Sequence, residues 1–176
     1  YRNIVLVGAT PPVAFFAYPG KPGMLAPEGT RFVTLSTHAQ NPAEALRLLC
    51  EELGATGARP AIVERAAPAL PSSGDALTPS SIGALLAAHI PENAIVVDEA
   101  VTTGRALDAA TRQAAPHDWL TNMGGSIGFG LPVAVGAAIA APGRRVIALE
   151  ADGSAMYTVQ ALWTLAREQL DVTVLV

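Results

Sequence analysis

The sequence predicts an α/β protein built on parallel sheet, and three observations predict it. Short apolar runs closed by a glycine or an acid alternate with helix-patterned segments, as parallel strands with crossover helices require. Half of the 176 residues are apolar and only 15% are charged, yet aromatics make up just 5%, so small residues can pack helices closely on a sheet. A stretch rich in Ala, Pro, Gly and Ser then interrupts the alternation. The expected organisation is a first domain over residues 1–54, a linker over 55–77 and a second domain over 78–176.

In the first domain, Ile4–Val7 is a continuous apolar run closed by Gly8 and reads as a buried strand. Pro11 to Pro27 mixes prolines and glycines with Phe15, Phe16 and Tyr18, the composition of an irregular loop. Arg31–Ser36 reads as a second strand. Asn41-Pro-Ala-Glu has the form of an N-cap with proline at the first helical position. The helix then runs to Leu53, with Ala45, Leu48, Leu49 and Leu53 on one face, and Gly54 ends it. Within the linker, Ala61–Glu64 has the composition of a short strand.

A fresh series begins at Thr78. Thr78-Pro-Ser-Ser opens a helix through His89, with Ile82, Leu85 and Leu86 turned inward. Ala94–Val97 is a strand ending in Asp98-Glu99, and Thr102–Gln113 carries a helical pattern. Gly124–Gly130 is a glycine-rich turn feeding a helix over Leu131–Ala140. Arg145–Leu149 is the next strand, Tyr157–Glu168 a helix and Val172–Val176 a strand. With no initiator Met and a strand at each end, the chain is expected to be a piece cut from a longer protein.

Bulk properties narrow the function classes. A net charge of −4 gives no electrostatic reason to bind nucleic acid or anionic membrane. The lone Cys50 excludes an internal disulfide framework and suits a reducing cytoplasm. Met123 to Gly143 is free of charge and long enough to span a bilayer. Its Gly and Ala content, Pro132 and the Arg144-Arg145 pair favour a helix buried against a sheet.

Three strand or turn ends fall on one edge of the second sheet: Asp98–Thr103, Gly124–Gly128 and Asp152–Ser154. Each offers backbone N–H groups, small side chains or hydroxyls, as a diphosphate requires. Asp152 ends an apolar run at the position where parallel sheets bind ligands. Gly153 would let the backbone turn closely there. A carboxylate beside a phosphate cradle makes sense if a divalent cation neutralises both, which makes Asp152 the candidate Mg²⁺ ligand. Singly, such turns are commonplace: Asp152 also reads as a plain turn residue, and Asp98 and Glu99 as acids solvating a strand end. Glu150, Trp119 and Trp163 read as structural, and His38, His89 and His117 as surface or helix-end residues.

Taken in order, Gly124-Gly-Ser-Ile-Gly-Phe-Gly-Leu-Pro132, a strand, Ala151-Asp-Gly-Ser154 with its helix, and Leu170-Asp-Val-Thr-Val-Leu-Val176 resemble the thiamine-diphosphate enzymes. The acetolactate synthase and benzoylformate decarboxylase group is the nearest in pattern. The resemblance covers residues 78–176 as the pyrophosphate-binding domain, a three-layer αβα fold. Residues 1–54 resemble, less specifically, the second half of the family's Rossmann-like middle domain. It implies thiamine diphosphate and Mg²⁺ as cofactors, a 2-oxo acid as substrate, and a homodimer or homotetramer with shared active sites. By the same resemblance Asp152 lies on the metal, and Gly153 and Ser154 on the diphosphate. Ile127 is the apolar residue over which the cofactor bends, Gly125 and Ser126 lie beside the aminopyrimidine, and Val101 and Thr102 touch the diphosphate.

The sequence departs from the pattern in two ways. The first glycine of the family's Gly-Asp-Gly is Ala151, which is tolerable only at negative φ. The Asn that completes the metal motif would fall beyond Val176, and the glutamate that activates the aminopyrimidine belongs to the family's N-terminal domain. Glu99 sits in the wrong domain for that role, so no catalytic residue is expected in this chain, and alone it is expected to be inactive. The middle-domain His of benzoylformate decarboxylases has no counterpart in Phe15-Phe-Ala-Tyr-Pro, although Phe15, Phe16 or Tyr18 can line a substrate pocket. No flavin signature is visible, which leaves FAD open but unsupported. Two other readings stand: a non-catalytic homologue that keeps the fold, and a nicotinamide-binding Rossmann domain. For the latter, Gly128-Phe-Gly130 puts Val133 where the third Gly or Ala belongs.

Overall fold

The computed structural model describes residues 1–62 and 69–176. The chain divides into two units, Tyr1–Ile62 and the remainder to Val176. Part of the strand expected at Ala61–Glu64 lies outside the described residues.

In the first unit, β1 (Asn3–Val7) pairs in parallel with β2 (Arg31–Ser36), in register from Asn3↔Arg31 to Leu6↔Thr34 and shifted at Val7↔Ser36. The expectation that β1 is buried is corrected: only Leu6 is, and Val5 stays 54% exposed. A two-stranded sheet has too few neighbours to cover a strand on both faces. Gly8 leaves β1 at φ +60, and its N–H donates to the Ser36 carbonyl at 2.9 Å. The following loop is drawn together by an antiparallel bridge between Val13 and Met24. Helix α1 (Pro42–Glu52) starts as its sequence dictates, with the Asn41 side chain accepting from the N–H groups of Ala43 and Glu44. None of its residues is buried, so its apolar face at Leu48 and Leu53 is open.

The second unit carries the larger sheet. Its elements are α2 (Pro79–His89), β3 (Ile95–Asp98), α3 (Leu107–Thr111), β4 (Asp118–Thr121), α4 (Gly130–Ala140), β5 (Val146–Leu149), α5 (Asp152–Ala155), α6 (Ala161–Arg167) and β6 (Val172–Leu175). The strand order is β4-β3-β5-β6, all parallel. Thr78 opens α2 with a reciprocal capping box to Ser81. Alternate residues of β3 and β5 face opposite ways. Val96, Ile147 and Leu149 join Leu86 and Leu107 on one side, while Ile95, Val97, Val146 and Ala148 join Ala134 on the other. Helices on both faces make three αβα layers, and they explain why these strands are continuously apolar.

Three expectations need correction. Strand β4, at the sheet edge, lies where the sequence pattern indicates no strand. The helix expected over Thr102–Gln113 is a 3₁₀ turn at Thr103–Ala106 followed by α3. The helix expected over Tyr157–Glu168 is a 3₁₀ turn at Met156–Thr158 followed by α6. In α2, Leu86 is buried and Ile82 packs against the core, but Leu85 is only half-buried. The buried strip is instead made with small residues: a Cβ on Gly83 would lie 2.7 Å from the Ala110 Cβ. Among the described residues no helix is long and apolar enough to cross a membrane, and Met123–Gly143 contains the 11-residue α4 packed on β3 and β5.

Candidate functional site

Register brings the candidate residues to one rim. Asp98 pairs with both Thr121 and Leu149, so β3, β4 and β5 end level with one another. The next residues, Glu99 and Glu150, continue the ladder by backbone N–H donation to the carbonyls of Leu149 and Leu175. Beyond them come the turn at Val101-Thr102, the glycine-rich turn after β4, and α5 after β5. Ligand sites in parallel sheets lie outside such carboxyl ends.

The glycine-rich turn is pinned on both sides of Ile127. The Asn122 carboxamide oxygen accepts from the N–H groups of Gly124 and Gly125, at 2.9 and 2.6 Å, and its NH₂ donates to the Ser126 carbonyl at 2.8 Å. On the far side the Glu99 carboxylate accepts from the N–H groups of Gly128 at 2.5 Å and Gly130 at 2.7 Å. Thr158 donates its hydroxyl to the Gly128 carbonyl. Gly128 has φ +89, and a Cβ there would lie 2.6 Å from the Tyr157 Cβ, so only glycine fits. Between these clamps Ile127 remains 47% exposed. With Val101, Asp98, Glu99 and Asn122 it lines a cavity of about 410 Å³.

Two acids here are buried in the rim, and for one of them the sequence reading is corrected. Glu99 does not solvate the strand end, the plain reading of its sequence position: it is 4% exposed and accepts two buried hydrogen bonds. Glu150 is equally buried, and neither of its carboxyl oxygens has a hydrogen-bond partner. Burial first, and the neighbouring Glu99 carboxylate second, push its carboxyl up to about 7. Gly130 sits between the two acids: a Cβ there would come within 2.2 Å of Glu150 Oε1 and 2.9 Å of Glu99 Oε2. Half-buried Asp98 is also raised by burial, although its carboxylate accepts the Ala100 N–H at 3.1 Å. The sequence held one usable clue, an acid directly after each of two apolar strands of the same sheet.

The remaining candidates are spread along the rim. Thr102, Gly125 and Ser126 are exposed, as are Asp152 and Gly153, while Ser154 is buried. The structure brings Val101 and Ile127 into one cavity; Asp152–Ser154 stand at the neighbouring strand end and do not line it. Ala151 has φ −103, so its methyl is accommodated without strain. Gly153 lies inside α5 rather than in a tight turn, and a Cβ on it would meet nothing within 4 Å. The Ser154 hydroxyl donates to the Ala151 carbonyl at 3.1 Å. Among the described residues no group of three or more His, Cys, Asp or Glu could hold a metal. In the first unit Phe15, Phe16 and Tyr18 form an exposed edge-to-face series, with ring centroids 4.8 and 6.3 Å apart. A larger apolar cavity of about 810 Å³, between α2 and β5–β6, carries no carboxylate.

Residues 100–176 match the family described as thiamine pyrophosphate enzyme, C-terminal TPP binding domain. A Mycobacterium tuberculosis protein provisionally named acetolactate synthase large subunit is 49% identical over 175 residues, covering 99% of this chain and 33% of that protein. Benzoylformate decarboxylase of Pseudomonas aeruginosa is 39% identical over 100 residues, covering 57% of this chain and 19% of its own length. Among solved structures, the thiamine diphosphate-dependent 4-hydroxybenzoylformate decarboxylase of Rhodococcus jostii superposes with a TM-score of 0.73 at 29% identity, covering 98% of this chain and 34% of that one. The chain thus spans about a fifth to a third of the length of these relatives.

Proposed function

With a second unit that belongs to the thiamine-diphosphate enzyme family as the premise, we propose that this protein acts on 2-oxo acids with thiamine diphosphate and Mg²⁺. The reaction is decarboxylation or carboligation of the acetolactate synthase type. One observation carries the reading: Ile127 is a large apolar side chain held half-exposed at the apex of a turn fixed on both flanks. Leaving it in water has no structural return, whereas beneath a bent cofactor it becomes a contact surface. The open space at Gly153 and the exposed carboxylate of Asp152 fit the diphosphate and metal end of the same group.

When bound, thiamine diphosphate supplies the electron sink that accepts the charge left by departing CO₂. The chain's own residues bind and orient. Asp152 would hold the metal through its exposed carboxylate. Gly153 and Ser154 serve through the first-turn N–H groups of α5, which have no intrahelical acceptor; the Ser154 hydroxyl is already engaged. Val101 and Thr102 flank the diphosphate, and Gly125 and Ser126 the aminopyrimidine. Phe15, Phe16 and Tyr18, in a unit read as the second half of a middle domain, offer aromatic surface for a substrate. Activation requires a glutamate from another domain, so the protein works as a homodimer or homotetramer with shared sites, in the cytoplasm. No residue here is assigned to FAD.

Isothermal calorimetry of the chain with thiamine diphosphate and Mg²⁺ tests this reading. Saturable binding that requires Mg²⁺ and is abolished by Asp152→Ala is expected, with no decarboxylation of pyruvate by the 176-residue chain alone. Binding of NADH in place of thiamine diphosphate refutes the reading. Cofactor binding in a protein that carries every family domain yet never turns over favours the non-catalytic homologue.

A further inference from the structure

We infer that Glu99 is a positioning residue that sets the height of Ile127 by holding the backbone on its carboxyl side; the inference rests on the cofactor reading above. Three observations lead there. The Glu99 carboxylate spends both oxygens on main-chain N–H groups, those of Gly128 and Gly130, and is 4% exposed while doing so. A buried ion is costly unless paired or fully hydrogen-bonded, so this arrangement persists only where the bonds are good. The bonds cross from the end of β3 to residues 29 and 31 positions later, tying the sheet itself to the turn. Finally, Phe129 stands at the N-cap of α4 with no side-chain cap, so Glu99 is the group that receives the helix's first N–H.

That last point suggests a plainer role, a remote cap that merely stabilises α4. The geometry goes further. Asn122 fixes residues 124–126 from one side and Glu99 fixes 128 and 130 from the other, so Ile127 is the apex of an arch with two footings. The Asn122 footing is local in sequence. Glu99 refers the arch to the end of β3, the strand end that leads to Val101, which lines the same cavity as Ile127. Moving Glu99 therefore changes the spacing between Ile127 and Val101, where a bent ligand would sit.

Two probes separate the roles: thiamine diphosphate with Mg²⁺, which would touch both the arch and the α5 end, and inorganic pyrophosphate with Mg²⁺, which would touch only the latter. Glu99→Gln keeps the shape but presents an NH₂ where an acceptor is needed. Its thiamine diphosphate affinity is expected to fall about tenfold, with pyrophosphate affinity within about twofold of wild type. Glu99→Asp retains two acceptor oxygens and is expected to recover part of the loss, and it serves if the Gln variant does not fold. The amide proton resonances of Gly128 and Gly130 should move upfield in the Gln variant. Equal loss of both ligands, or unchanged affinity for thiamine diphosphate, overturns the assignment. If wild type binds neither probe, the cofactor reading falls and the assignment with it; if wild type binds and the Gln variant matches it, only the Glu99 role falls.

Discussion

The two units contain strands of nearly the same composition and treat them differently. Ile4-Val-Leu-Val7 in β1 and Val146-Ile-Ala-Leu149 in β5 are both four-residue apolar runs, yet every residue of β5 is buried and only Leu6 of β1 is. The first unit buries just Leu6 and Ser36 among its described residues, whereas the second assembles three core clusters. Strand formation is written in the run; burial is written in the neighbours. Strand β5 lies between two strands, beneath one helical layer and above another, while β1 has one partner strand.

This contrast can be broken by measurement. Both tryptophans lie in the second unit, so Trp fluorescence follows that unit, while far-UV circular dichroism follows both. The largest effect is expected for Leu131→Ala. Leu131 is 1% exposed and packs with Ala155 and Ala161, and its truncation should cost about 3 kcal/mol in urea unfolding read by Trp fluorescence.

An effect of similar size, about 3 kcal/mol, is expected from Glu150 in the metal-free protein. In the fold its carboxyl keeps its proton up to about 7, against 4.5 in the unfolded chain. The folded state therefore binds more protons between those values, and stability is full below 4.5 and lost as pH rises through about 7. Glu150→Gln should remove that slope; an unchanged slope would show that the acid reaches water or finds a partner.

The smallest effect is expected in α1. Leu48 is 51% exposed, and Leu48→Ala should stay within about 0.5 kcal/mol by far-UV circular dichroism. A loss matching that of Leu131→Ala would mean the open face is covered in solution, and the contrast between the units would collapse.

The parts of the fold legible in the sequence were those with local causes. Strands β3, β5 and β6 are apolar runs, and α1 and α2 announce themselves through Asn41-Pro42 and Thr78-Pro79. Strand β4 was not legible because Asp118-Trp-Leu-Thr121 is a half-polar edge strand whose only partner is β3. The break at Met156–Thr158 was hidden too, since Tyr157 and Thr158 meet Gly128 from far along the chain. The candidate site follows the same division. Asp152 and Ile127 stand within recognisable local motifs. Glu99 looks like an ordinary solvated acid until the sheet sets it with Glu150 beside Gly130, and the one local clue to their burial is that each directly follows an apolar strand.

The level ending of β3, β4 and β5 makes strand length itself a constrained quantity. With Asp98 opposite both Thr121 and Leu149, one residue inserted into β5 would push Glu150 and Asp152 outward by about 3.3 Å and reverse the face that each side chain meets. Substitutions in these strands can be graded, each with its own modest cost. Insertions and deletions cannot, and the tolerance of the chain to changes in length should therefore lie in its loops and vanish inside the three strands that reach the rim.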